Sequence, residues 1–209
     1  DTGIHVDVVT GGTGEVLKRV KSESANPQGD ICWAADESML KDYAEYFEPY
    51  VSPEDEKMLD NYKNKSGVSA PAFCDPTVFI VNTDLAGDIE INGFEDLLNP
   101  ALKGKIIFSD PNSSSAAWNN LSNIMAVFGT DSDEAWAYIE KLMPNLVIAG
   151  SSSACFKSVQ QGEYVVGLTY EDGAITLVKD GATNIEVRYP SNGTSATVFG
   201  CGLVKNGPN

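Results

Sequence analysis

Ile106-Ile107-Phe108-Ser109-Asp110-Pro111-Asn112-Ser113-Ser114-Ser115-Ala116-Ala117-Trp118 is the stretch from which the fold of this 209-residue chain is read. Its apolar run is that of a buried strand and stops at Asp110-Pro111. A serine cluster then opens a segment with helical spacing, Ala116, Leu121, Ile124, Met125 and Phe128. Strand, tight loop and helix N-terminus bring free backbone N–H groups and the positive end of a helix dipole to one place, where serine hydroxyls add donors. Such a cradle holds a phosphate, phosphonate, carboxylate or carbonate without any cationic side chain. A serine that merely caps the helix is the commoner arrangement, and this stretch alone favours the cap.

Working outward, strands and helices alternate along the chain. Ile4-His5-Val6-Asp7-Val8-Val9 has the alternation of a short strand, and Gly11-Gly12-Thr13-Gly14 turns into a helix carrying Val16, Leu17 and Val20. Gly29 to Ala35 is a second buried strand with a helix from Asp36. Two βα units in succession favour a parallel sheet. Tyr46 to Ser69 is polar, acidic and turn-rich. Ala72 to Asn82 is the longest β-branched run and a candidate crossing between domains.

After the central stretch, Asp131 to Met143 forms a helix with Ser132 as its cap, and the spacing of Ala135, Trp136, Ile139 and Met143 places Trp136 in a core. Leu146-Val147-Ile148-Ala149 ends at Gly150-Ser151-Ser152-Ser153, so the serine-rich helix start recurs, and two such sites weaken the case for coincidental capping. Tyr164 to Tyr170 is a further strand that delivers Glu171-Asp172-Gly173. Adjacent carboxylates there are either a solvated loop or a site for an ammonium, sugar hydroxyls or a metal. Glu186-Tyr189 and Thr197-Val204 complete the strands. In open α/β sheets ligands gather at the carboxyl ends of strands, where both serine clusters and Glu171-Asp172 are expected to fall.

Composition narrows the function. Thirty Asp and Glu against fourteen Lys and Arg give a formal charge of −16, which argues against nucleic acid and anionic membranes as partners. A small anion is still admissible, because the field at a closed site is set by local donors. Cys32, Cys74, Cys155 and Cys201 lack the close spacing of a zinc site, and His5 is the one histidine. Two disulfides of undetermined pairing and buried free thiols are equally open. No apolar run approaches the ~20 residues of a membrane span. No nucleophile elbow, HExxH pair or Walker loop occurs, so an enzyme is not expected. A phosphatase- or glycosidase-like hydrolase using the paired carboxylates is the rival class.

Gly11-Gly12-Thr13-Gly14, Asn26-Pro27-Gln28-Gly29-Asp30, Asp110-Pro111 with Ser113 to Ala116, Gly162 to Glu171 and Gly193-Thr194-Ser195 together resemble, in order and spacing, the solute-binding proteins of ABC importers that include the ferric-ion binders. The resemblance implies an α/β fold of the type II periplasmic-binding-protein kind: two lobes joined by crossing strands, with ligand in the cleft between them. Lobe I is then residues 1–82 plus 193–209 and lobe II residues 83–192. Family members usually have a further strand and helix before the position of Asp1 and helices after that of Asn209, so lobe I is expected to be incomplete. The resemblance implies that Ser113, Ser114 and Ser115 hold an oxyanion with Thr13 facing it from lobe I; Glu171 and Asp172 are expected to read the rest of the molecule, Trp33 to close from lobe I, and Gly12, Asp75 and Ser152 to be further ligand contacts. Ferric-ion members carry two consecutive tyrosines where this chain has Glu171-Asp172, so a phosphorylated or phosphonate-type solute is expected, with ferric ion as the alternative. Expected partners are an ABC permease and its ATPase subunits, with no cofactor, no metal ligand set and no nucleic acid. The expected location is the periplasm or, as a lipoprotein, the cell surface.

Overall fold

The computed structural model describes residues 2–112 and 114–209. Along the chain it forms α1 (Thr13–Ser22), β1 (Ile31–Asp36), α2 (Glu37–Asp42), β2 (Ser69–Asn82), α3 (Thr83–Ala86), β3 (Ile106–Ser109) and α4 (Ser115–Phe128). It continues with α5 (Asp133–Leu142), β4 (Leu146–Ala149), α6 (Ser152–Gln160), β5 (Val166–Tyr170), α7 (Glu171–Lys179), β6 (Ile185–Arg188) and β7 (Ala196–Leu203). The residues divide into two compact units, Asp1–Ala72 with Phe199–Asn209, and Phe73–Val198. The chain passes from one to the other within β2 and returns within β7.

In the first unit β1 runs antiparallel to β7, with Ile31 opposite Leu203 and Asp36 opposite Phe199. β1 buries Cys32 and, past a break in register after Trp33, Ala35 with Leu17 of α1, Leu40 of α2, Phe47, Val68 and Val204, and leaves Ile31 and Trp33 exposed. Asp36 caps α2 by accepting the Ser38 N–H at 2.8 Å. The Ile4–Val9 segment, expected as a strand from its alternation, has no regular secondary structure, and its Ile and Val side chains are exposed. Alternation makes a strand only where a neighbour completes the ladder. Among the described residues no β-pairing includes this segment.

The second unit holds the larger sheet, in the order β6-β2-β5-β3-β4. β3 is parallel to both β4 and β5, whereas β2 is antiparallel to β5 and β6. The parallel expectation thus holds for the βα repeats from β3 to β5 and not for β1. Because side chains alternate, Phe79, Val81, Ile106, Phe108, Val166 and Leu168 form one core with α4 and α5, while Val78, Ile80 and Ile107 meet α6 and α7 on the other face. Phe79 and Phe94 meet edge to face at 5.2 Å, and the buried Tyr138 hydroxyl donates to the Phe94 carbonyl at 2.6 Å. Asn82 at the end of β2 donates to the Val159 carbonyl at 2.9 Å and accepts the Leu85 N–H, tying α6 and α3 to one side chain.

Two details differ from the sequence reading. Trp136 is exposed, because α5 buries Ala135, Tyr138 and Leu142, a stripe one position off the expected one. Cys32, Cys155 and Cys201 are free thiols. Cys32 and Cys155 are buried, which pushes each thiol up to about 11.

Gly167 lets α6 approach the sheet: a Cβ there would lie 2.2 Å from the Cys155 carbonyl oxygen and 2.8 Å from Ile80. Gly167→Ala is therefore expected to destabilise by about 3 kcal/mol, the upper end of overpacking effects, seen as a lower urea midpoint. Gly14→Ala in α1, where no atom lies within 4 Å, should instead be neutral or stabilise by up to about 1 kcal/mol.

Candidate functional site

Parallel pairing of β4, β3 and β5 brings three carboxyl ends to one edge, and each strand is followed there by a helix: β3 by α4, β4 by α6, β5 by α7. Each helix opens with N–H groups that have no partner within the helix. At α4, Ser114 is the N-cap and accepts the Ala117 N–H at 3.3 Å. It also accepts from the Ser109 hydroxyl at 3.1 Å, which leaves its own hydroxyl hydrogen to donate. The cap reading of the serine cluster is thus correct for Ser114, and the cap is compatible with a donor role. Asp110 holds the preceding turn by accepting both the backbone and side-chain N–H of Asn112, at 2.8 and 2.9 Å. Ser115 is the first residue of α4. Ser113 lies outside the described residues.

At α6 the N-cap residue Ser151 makes no side-chain cap. Ser152, first in the helix, faces the Tyr170 side chain at the end of β5. Tyr170 is the N-cap of α7 and likewise gives it no side-chain cap. Glu171 and Asp172, admitted from sequence as a solvated loop, are the first turn of α7, where the helix dipole favours carboxylates. Asn120 of α4 donates to the Thr169 carbonyl at 3.2 Å and fixes that helix to β5.

β2 supplies the remaining group. It lies between β5 and β6, with Thr77 opposite Tyr170 and Phe79 opposite Arg188, so the residues that follow both neighbours arrive beside Asp75. The Asp75 Oδ1 accepts the Asp172 N–H at 3.2 Å, a cap for α7 provided by another strand. Tyr189, just past β6, donates its hydroxyl to Glu171. Asp75 is 8% exposed. Burial first, then the adjacent Asp172 and Glu171 charges, raise its carboxyl to about 6 against the pull of the backbone N–H donors. The Tyr189 hydroxyl is raised by its bond to Glu171, and that of Tyr170 by burial. Thr77 is held in turn by the 190–195 loop: its N–H donates to the Ser195 carbonyl at 2.9 Å and its hydroxyl meets that of Thr194 at 3.1 Å.

The sequence-derived residues of the second unit therefore fall into two linked groups, Ser114 and Ser115 at α4, and Ser152, Asp75, Glu171 and Asp172 joined through Tyr170. In the first unit Gly12 is the N-cap of α1 and Thr13 its first residue. Trp33 is exposed on β1, just before a break in register where Ala34 has φ +59°. Tyr189 and Ser109 escaped the sequence reading. A tyrosine 18 residues from its carboxylate partner leaves no local pattern, whereas Ser109 stood inside the quoted stretch but read as strand. Among the described residues no three of His, Cys, Asp and Glu converge closely enough to hold a metal ion.

A sheet whose strand ends and helix starts gather donors at one edge is the place where open α/β folds bind ligands. The chain belongs to the bacterial extracellular solute-binding proteins, whose family model matches residues 1–209. It is 29% identical over 226 residues to iron uptake protein A1 of Synechocystis, covering 100% of this chain and 61% of that protein. It is 26% identical over 222 residues to a putative 2-aminoethylphosphonate-binding periplasmic protein of Salmonella typhimurium, covering 99% of this chain and 61% of the relative. The chain thus spans about three fifths of the length of these relatives. Among solved structures, the periplasmic binding protein AfuA from Actinobacillus pleuropneumoniae, with exogenous fructose 6-phosphate bound, is similar with a TM-score of 0.88 and 24% identity over 100% of this chain and 68% of that one. That likeness confirms the type II periplasmic-binding-protein fold.

A buried carboxyl raised from 3.8 to about 6 binds its proton more tightly in the native chain than in the unfolded one. Its contribution to stability is complete below about pH 4 and is lost as pH rises through about 6, up to about 3 kcal/mol in all. Asp75→Asn keeps an oxygen for the Asp172 N–H and removes the charge. Urea denaturation should show this variant more stable than the parent at about pH 8 and level with it at about pH 4. Equal differences at both pH values would refute the assignment.

Proposed function

We propose that this chain is the substrate-binding component of an ABC importer, located in the periplasm or on the cell surface, and that it reversibly captures a small anionic solute, a phosphorylated or phosphonate-type organic compound. The observation that carries this reading is the gathering of the α4, α6 and α7 N-termini at one sheet edge, with serines at the first two. Neutral donors of this kind suit a compact oxyanion, since every contact is a directed N–H or O–H and the helix dipoles add attraction. Ser114, Ser115 and Ser152 are the proposed oxyanion contacts. Glu171 and Asp172 then read the hydroxyl or ammonium groups on the rest of the molecule, and Gly12, Thr13 and Trp33 are the proposed contacts of the first unit. Its partners are the permease and ATPase subunits to which the loaded protein presents solute, and the solute leaves unchanged.

Ferric ion is the second reading, supported by the iron-uptake relative. The residues after β5 weigh against it: near the place where ferric-ion binders are expected to carry two consecutive tyrosines, this chain has Glu171-Asp172.

Thermal denaturation of the chain with fructose 6-phosphate, 2-aminoethylphosphonate, inorganic phosphate and ferric ion with carbonate tests the choice. At a hundredfold excess over its dissociation constant a true ligand adds about 2.7 kcal/mol, a rise in Tm of about 5–10 °C at this chain length. Ser114→Asp should leave the helix capped, because aspartate caps as well as serine, yet abolish the shift by repelling the anion. An undiminished shift in that variant would place the anion elsewhere, and a shift with ferric ion alone would select the second reading.

A further inference from the structure

Asp75 is a buried carboxylate on β2 that completes a helix on the other side of the strand pairing. α7 has no cap from its own N-cap residue, so the Asp75 Oδ1 takes on that work for the Asp172 N–H, 97 positions along the chain. The charged and titratable groups facing it are Glu171 and Asp172 from α7, Tyr170 from β5, and Tyr189 from the segment after β6. Among the described residues no Lys, Arg or His makes an ion pair with Asp75, Glu171 or Asp172. The arginine nearest in sequence, Arg188, is engaged by Glu186 at 2.7 Å. Three carboxylates therefore share one edge with helix N-termini as their counter-dipoles and no cation between them. Tyr170, which faces Ser152, lies between this cluster and the start of α6.

We infer that Asp75 is the positioning and charge-selecting residue of this edge: it holds the first turn of α7 through Oδ1 whether ionised or not, and it takes up one proton when an anion docks. The inference rests on the capture reading above. An arriving anion meets a site that already carries carboxylate charge, and a proton on Asp75 removes one unit of it while leaving the cap to Asp172 in place. The acquired hydroxyl also becomes a donor where only acceptors stood. Its carboxyl, raised to about 6, takes that proton from solvent near neutral pH with no other chemistry required. A cationic solute would act in the opposite sense and expel a proton, so the sign of proton exchange reports the charge of what is bound.

The test is isothermal titration of the parent and of Asp75→Asn with fructose 6-phosphate, 2-aminoethylphosphonate and inorganic phosphate, each in two buffers of different ionisation enthalpy. Phosphate groups themselves titrate with a second pKa of about 6, so the readout is the difference between the two proteins. The parent should weaken relative to Asp75→Asn by about fivefold between about pH 6 and about pH 7, and should take up close to one more proton at pH 7. Asp75→Ala, which loses the acceptor, should bind weakly at every pH, with Asn restoring affinity. Parallel pH profiles and equal proton uptake in parent and Asn variant would overturn the inference and leave the capture reading standing. Release of protons by the parent relative to Asp75→Asn would overturn it as well. Binding of none of these anions by either protein would remove the inference and the capture reading together.

Discussion

Parallel pairing of β3 with β4 and β5 is the constraint on which the rest of the second unit depends. Strands that run the same way cannot be joined by a tight turn, so each must leave the sheet at its carboxyl edge and return by a helix. The donor-rich edge follows from that alone: wherever such a strand ends, a helix begins, and its first N–H groups face the same side of the layer. Close packing then makes the arrangement specific. Gly167 admits α6 to the sheet, and Gly173 admits Phe156, whose ring would lie 2.5 Å from an added Cβ. α6 and α7 are thereby held with their N-termini beside the end of β5.

β2 works against that grain and is useful for it. Running antiparallel to β5 and β6, it brings its own early residues to the edge where the other strands finish, which places Asp75 among carboxylates that belong to α7. The same strand carries the chain between the two units and ends in Asn82, whose amide binds α6 and caps α3. One long strand thus ties the site's acidic half to the helices that make its donor half.

Much of this architecture was legible in the sequence, and the failures have a common physical cause. Buried runs such as Ile106-Phe108 and Val78-Val81 declare themselves because both faces of a covered sheet demand apolar residues, and Ser114 and Ser132 mark helix starts through local hydrogen bonding. What was lost depends on partners distant in the chain. Ile4–Val9 alternates as a strand does but has no ladder among the described residues. α7 was missed because Gly173 and a β-branched run argue against a helix locally, while tertiary packing against Phe156 requires that glycine. Trp136 satisfied the helical period as well as its neighbours did, and one position of rotation put it in water. At the site, the helix N-termini could be anticipated and the acidic cluster in part, but the meeting of Asp75 with Asp172 and of Tyr189 with Glu171 is a product of strand register.

On the proposed reading the edge is an anion site built in an acidic protein. With a formal charge of −16, a cationic side chain at this edge would be drawn into pairs with the chain's own carboxylates, as Arg188 is with Glu186. Backbone N–H groups and serine hydroxyls cannot be diverted in that way, since their directions are fixed by the helices that carry them. They also bind without a fixed positive charge to neutralise, so affinity rests on geometry and on the balance of nearby carboxylates rather than on a single strong ion pair. That balance is adjustable by one proton on one buried aspartate. Attraction of this moderate and tunable kind suits the reversible capture proposed above.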